Sequence, residues 1–224
     1  DDLEMGVQRL KRNLNNYSLW DDSFAERIKP VLGDLGEPQL GLANEAFEQL
    51  AREIDIIYHN GAMVNFVYPY HAHKASNVLG THEVLKLACQ IKLKPVHFVS
   101  TLSILYSGDG DDGRIIREDV SLDEVGAPFG GYAQSKWVAE KLVKQAGERG
   151  IPYAIYRPGL VSGHSTSGAW NNDNLISSMT RACILLGSVP TLDVMVNIVP
   201  VDFVSAAIVT LSKNPNNLSK VYHL

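Results

Sequence analysis

The chain has 224 residues, a net charge of -5 and a sequence pI near 5.8, with 45% hydrophobic and 20% charged residues. That length can bury a substantial core in one domain, and an acidic balance without a long basic run argues against a nucleic-acid surface. No apolar run reaches membrane-spanning length, and Cys89 and Cys183 lack disulfide or metal spacing, so the chain reads as a soluble cytoplasmic protein with reduced thiols.

Residues 1–29 are polar and helical in tendency, with Leu10, Leu14, Leu19 and Phe24 loosely spaced. Residues 28–35 read as a short strand closing on Asp34 and Leu35. An amphipathic helix is expected over 42–53, then a buried strand over 55–62 that ends in Asn60, Gly61 and Ala62. Residues 69–91 carry helical periodicity through Val78, Val84, Leu85 and Ala88, and 95–101 form the next strand, ending in Ser100 and Thr101. A further strand spans 153–159, helices span 173–187 and 201–213, and residues 220–224 begin a final strand. Strands alternating with helices at this pace predict an α/β, Rossmann-like, doubly wound parallel sheet. Ligands in such sheets sit beyond the carboxyl ends of the strands. Asp34, Asn60 to Ala62, Ser100-Thr101 and Pro158-Gly159 all close a predicted strand.

The most informative stretch is Gly130-Gly131-Tyr132-Ala133-Gln134-Ser135-Lys136, which opens a helix with good helix formers over 133–144. Tyr132 and Lys136 stand one turn apart on one face. An ammonium beside a phenol favours the phenolate, so the expectation is a Tyr132 pKa lowered from its usual value, suited to proton transfer. The plain alternative is a half-exposed aromatic and a solvated lysine.

Three other patterns carry less. Gly108-Asp109-Gly110-Asp111-Asp112-Gly113 matches G-x-G-x-x-G, but its aspartates would repel a pyrophosphate and no amphipathic helix follows. His71 and His73 point to different faces of a helix, so no metal site is expected. Gly163-His164-Ser165-Thr166-Ser167 lacks the closing glycine of a nucleophile elbow. Trp170, Leu175, Ile176 and Met179 are apolar positions suited to a substrate entrance or simply to a core.

Tyr-x-x-x-Lys at a helix start, after a strand ending in Ser100-Thr101, resembles the extended short-chain dehydrogenase/reductases. Within them the chain is most similar to the thioester reductase domains of nonribosomal peptide synthetases and carboxylic acid reductases. The resemblance covers Leu10 to Leu224 and implies one reductase domain over 1–224, with 164–195 contributing to the substrate lobe. It implies that the glycine-rich loop lies upstream of Asp1 and the rest of the lobe beyond Leu224. The isolated chain is therefore expected to be inactive and to lack dinucleotide affinity.

The resemblance also implies residue roles. Tyr132 is the proton donor, and Thr101, or less readily Ser100, stabilises the oxyanion. Lys136 binds the nicotinamide ribose, and Asn77 orders a relay water. Asp34 and Leu35 contact the adenine, Asn60, Gly61 and Ala62 the adenosine side, and Pro158, Gly159, Leu160 and Val161 the nicotinamide side. The implied cofactor is NADPH, or NADH, with the main contacts to a 2′-phosphate expected upstream of this segment and Arg9 and Arg12 as further candidates. The implied partner is an acyl or peptidyl carrier protein with a phosphopantetheine arm, and the reaction is reductive release to an aldehyde or on to an alcohol. Dehydratase chemistry would need acids after Thr101, where Leu102 and Ser103 stand. The alternatives are a sugar-nucleotide epimerase or reductase of the same superfamily, and a non-catalytic docking module.

Overall fold

The computed structural model describes residues 2–107, 115–171, 175–191 and 196–224, in two units. The acidic Gly108–Gly113 stretch lies outside the described residues. One unit comprises Asp34–Gly159 and Val204–Leu224; the other comprises Asp1–Gly33 and Leu160–Phe203.

The larger unit is built on a parallel sheet of β1 (Ile57–His59), β2 (Val96–Val99), β3 (Tyr153–Arg157) and a last strand, Lys220–His223, in that spatial order. Phe98 pairs with His59 on one side and Ile155 on the other, which fixes the register. Alternate residues therefore face α4 (Gly80–Cys89) and α6 (Gly131–Glu148), or the opposite face; α2 (Asn44–Glu53), α3 (Tyr70–His73) and α5 (Leu122–Val125) belong to the same unit. Val96, Phe98 and Ile155 meet Val84, Leu85 and Ala88 of α4 and Ala139 and Val143 of α6 in a dry core. Burying a side chain such as Phe98, fully enclosed here, stabilises by roughly 2–3 kcal/mol. On the opposite face Tyr58, His97, Tyr156 and Tyr222 stack in a row across all four strands, with ring centroids 4.9, 6.0 and 5.8 Å apart.

The predicted 69–91 helix is continuous, but Lys74–Leu79 is wound as a π-helix between α3 and α4. Such wide turns recur at functional sites. Two expectations need correction. Residues 28–35 form no strand, because they find no ladder partner among the described residues and Pro30 has no N–H to offer one. The strand predicted as buried over 55–62 is only three residues long and lies at a sheet edge, with Tyr58 half exposed.

The smaller unit contains α1 (Leu3–Asn16), capped by Asp2, whose Oδ1 accepts the Met5 N–H at 2.8 Å. It also contains β4 (Leu160–Ser162), paired in parallel with β5 (Ile198–Pro200), and α7 (Leu175–Leu186). Neither short strand is predicted from the sequence. Met179, Ile184, Leu185 and Leu186 of α7 are exposed. Helix α8 (Val201–Ser212) starts in this unit and ends in the larger one, leading to the last strand of the parallel sheet, β6 (Lys220–His223).

Candidate active site at the carboxyl ends of the strands

Helix α6 begins under unusual constraint. Gly130 has φ of 86°, and a Cβ on Gly131 would stand 2.4–2.5 Å from the backbone of Tyr68, Pro69 and Tyr70. Only glycine lets the first turn press so closely against that segment. The segment is in turn folded by Asn65, whose Oδ1 accepts the N–H groups of Val67 and Tyr68 at 2.9 Å each. Tyr132 is thereby placed edge-on to Phe66, with ring centroids 5.6 Å apart, and near His73 at 6.1 Å.

One turn on, Lys136 is buried at the end of β2. Its Nζ donates to the Val99 carbonyl at 2.8 Å and lies 4.1 Å from the centre of the Phe98 ring. Val99 immediately precedes Ser100 and Thr101. The Ser100 N–H donates to Tyr156 O at 2.6 Å and the Leu102 N–H to Pro158 O at 3.0 Å. The parallel pairing thus carries Ser100 and Thr101 alongside the end of β3, so Lys136, Thr101 and Pro158 share one end of the sheet. Thr101 caps the following 3-10 turn, accepting the Ser103 N–H at 3.2 Å, and shares a 2.5 Å hydrogen bond with the Ser103 hydroxyl. The Ser100 hydroxyl is buried without a partner among the described residues.

The expected acidification of Tyr132 by Lys136 is not what the structure contains. Burial pushes the phenol up to about 12. Lys136 has turned toward a sheet carbonyl and a ring face, and its ammonium does not offset that burial. The lysine itself is pushed down to about 7, by burial first and against the pull of Glu140. Among the described residues the Tyr132 hydroxyl has no hydrogen-bond partner, so it remains available to a ligand.

Asn77 is almost wholly buried in the π-turn and fully used. Its Oδ1 accepts the Met63 N–H at 2.7 Å, while Nδ2 donates to Met63 O and to the Ser135 hydroxyl, each at 2.9 Å. Ser135 donates onward to the Tyr132 carbonyl at 2.7 Å. Thr81 donates to the Asn77 carbonyl at 2.7 Å, and His59 meets Thr81 at 2.9 Å. A buried polar chain therefore runs from the end of β1 to the first turn of α6. His59 is held neutral, pushed down to about 3 by burial and by Lys136. Sequence reading picked out Asn77 but missed Ser135, Thr81 and His59. The available signal was a serine three residues after the tyrosine, within reach of its carbonyl.

Toward the β1 edge, beyond the carboxyl end of that strand, Leu35 is wedged between glycines. A Cβ on Gly80 would lie 2.5 Å from Leu35 O, and one on Gly61 2.7 Å from Leu35 Cδ1. Leu35 therefore adjoins the Asn60-Gly61-Ala62 segment. The loop that follows holds Gln39 and Leu40 in the left-handed region, each costing about 1–2 kcal/mol for a residue with a side chain. Pro158 and Gly159 belong to this unit, with the Gly159 N–H donating to Leu224 O at 2.9 Å, whereas Leu160 and Val161 begin β4 of the other. In that smaller unit Arg9 and Arg12 line a cavity of about 380 Å³ with Met5, Gly6, Gln8 and Leu32.

Residues 1–208 match the NAD-binding family described as male sterility protein. The chain belongs to that family. A linear gramicidin synthase from Brevibacillus parabrevis is 46% identical over 221 residues, covering 99% of this chain and 4% of that protein. The terminal R domain from the myxalamid PKS-NRPS biosynthetic pathway superposes with a TM-score of 0.95 at 50% identity, over 100% of this chain and 57% of that one. A thiolation-reductase di-domain from an archaeal non-ribosomal peptide synthetase superposes with a TM-score of 0.78 at 26% identity, over 96% of this chain and 47% of that one. The chain thus has the Rossmann-like R-domain fold and spans just over half of the R-domain structure from the myxalamid pathway.

Proposed function

We propose that the full-length protein carrying this chain reduces an acyl or peptidyl thioester, delivered on a carrier-protein phosphopantetheine arm, to an aldehyde. The observation that supports this best is the placement of Lys136 and Thr101 at the carboxyl end of a parallel sheet, with Tyr132 one helical turn before Lys136, in a chain half identical to an R domain. A di-domain that joins thiolation to reductase in a relative supports the carrier as partner.

The residues suit a nicotinamide dinucleotide. Asp34 and Leu35 would meet the adenine, with Asn60, Gly61 and Ala62 beneath the adenosine. Lys136 would bond the ribose hydroxyls, and Pro158, Gly159, Leu160 and Val161 would pass the nicotinamide. NADPH rather than NADH is inferred from the resemblance to R domains, whose 2′-phosphate contacts would lie mainly upstream of this segment. When bound, the cofactor supplies the hydride. The chain's own residues handle the oxygen. Thr101 accepts the Ser103 N–H, and with the Ser103 hydroxyl acting as donor in the bond they share, the Thr101 hydrogen would bond the thioester oxygen and hold its growing charge.

Tyr132 then gives its proton to that oxygen. A phenol pushed up by burial stays protonated at neutral pH and yields its proton only to a strongly basic acceptor, which the carbonyl oxygen becomes as its carbon is reduced. The resulting hemithioacetal loses the carrier thiol to leave the aldehyde. Asn77 and Ser135 keep the first turn of α6 in place for this transfer.

In the full-length protein, Tyr132→Phe should lower turnover of a carrier-bound acyl thioester by about 10²–10⁴-fold while leaving the KM for NADPH within about threefold. Unchanged turnover would end the assignment. So would reaction with nucleotide sugars and none with the thioester.

A further inference from the structure

The loop after Asp34 adopts a shape that its own residues oppose. Gln39, Leu40 and Gly41 are consecutive left-handed residues, with φ of 51°, 59° and 74°, and only the last lacks a side chain. A tie from outside the loop holds them. Oε2 of Glu83, on α4, accepts the Gln39 N–H at 2.8 Å. Glu83 is itself fixed, by Lys86 Nζ at 2.9 Å on the same oxygen and by His82 Nδ1 at 3.2 Å on Oε1. Burial opposes its charge, but these partners prevail and hold the carboxyl below its ordinary value.

The clamped turn acts back on Asp34. Leu40 O accepts the Asp34 N–H at 2.8 Å, and Asp34 Oδ1 accepts the Gly36 N–H at 2.7 Å. Among the described residues, Asp34 Oδ2 and the Leu35 N–H have no partner. A carboxylate acceptor beside a backbone donor matches the exocyclic amine and the adjacent ring nitrogen of adenine. We propose that Glu83 is a positioning residue for the adenine end of the cofactor: by clamping the left-handed turn, it sets the Asp34 carboxylate and the Leu35 amide at the spacing an adenine edge requires. This rests on the reading that Asp34 and Leu35 meet the adenine.

The test compares NADPH with its hypoxanthine analogue, which presents a carbonyl in place of the amine, in the full-length protein. The wild type should prefer NADPH by about tenfold in KM, and Glu83→Ala should raise the NADPH KM about tenfold, erase that preference and change kcat less than about threefold. Glu83→Gln keeps an acceptor for Gln39 and should stay within about threefold of wild type. Adding Gln39→Gly to Glu83→Ala should recover most of the preference, because glycine adopts the left-handed turn unaided. Glu83→Asp, with a shorter reach, serves if Glu83→Ala does not fold. If Asp34→Asn erases the preference and Glu83→Ala keeps it, Glu83 has no positioning role and the adenine reading stands. If Asp34→Asn itself leaves the preference intact, the adenine reading falls and this proposal with it.

Discussion

Two successive turns of helix α6 each hold a buried cation, its own Lys136 and, through Glu140, Arg157 of β3, and they are built on opposite principles. Arg157, fully enclosed at the end of β3, donates Nε and Nη2 to Glu140 at 3.2 and 2.5 Å and meets His223 at 3.1 Å. Lys144 adds a further contact to Glu140 at 3.5 Å. Lys136, one turn earlier and also buried, has a carbonyl and an aromatic face; among the described residues no carboxylate lies within ion-pairing distance. A buried cation that is fully paired joins strand to helix and has little left to offer a ligand. One held by a single neutral acceptor carries a charge that the fold has not neutralised, and it can exchange its partner when something better arrives. That difference separates the turn that supports the site from the turn that forms it.

Three changes in the full-length protein would break or sharpen this contrast, each read by hydrogen exchange along α6. Glu140→Ala leaves Arg157 buried without its counter-ion and should destabilise the helix by about 3–5 kcal/mol, whereas the apolar pair Glu140→Leu with Arg157→Met should recover most of that. Equal damage from both would mean that the pair does more than hold structure. Asn77→Ala orphans the Met63 backbone groups and should cost about 1–3 kcal/mol, with faster exchange at Met63. An unaffected Met63 would show the polar chain to be incidental.

Lys136→Met should abolish turnover yet raise local stability by about 1 kcal/mol, since it removes an unpaired buried charge. The sign with pH follows from the shift. The folded lysine titrates near 7 against an ordinary 10.5, so the unfolded state binds the proton more tightly between those values. Wild-type stability therefore rises across that window, and the advantage of the methionine is full below pH 7 and shrinks above it. A constant advantage from pH 6 to 10 would overturn the account of Lys136.

The parts of this site that were legible in the sequence are the local ones. Tyr132 and Lys136 share a face because a helix repeats every 3.6 residues, and the ends of β2 and β3 were marked by apolar runs closing on Thr101 and Pro158. The fate of Lys136 was not legible. Its choice between the phenol and the Val99 carbonyl depends on a strand 37 residues away. The Glu140–Arg157 pair was hidden for the same reason. The apolar residues 28–35 imitate a strand, but a strand exists only with a neighbour to pair. The Gln39-Leu40 turn carries ordinary side chains at positions where local preference would place glycine or asparagine, and ties to residues outside the turn, such as Glu83, account for it.

The wide turn at Lys74–Leu79 has a consequence for how this protein can vary. Each residue added to or taken from a helix swings everything beyond it by about 100°. His73, ahead of the bulge, adjoins Tyr132, while Thr81 and Glu83, behind it, meet His59 and Gln39, so no single rotation serves all three. The exposed side chains in that stretch can be exchanged one by one, but its length cannot drift: a lineage that lost one residue there would have to rebuild both ends of the helix at once.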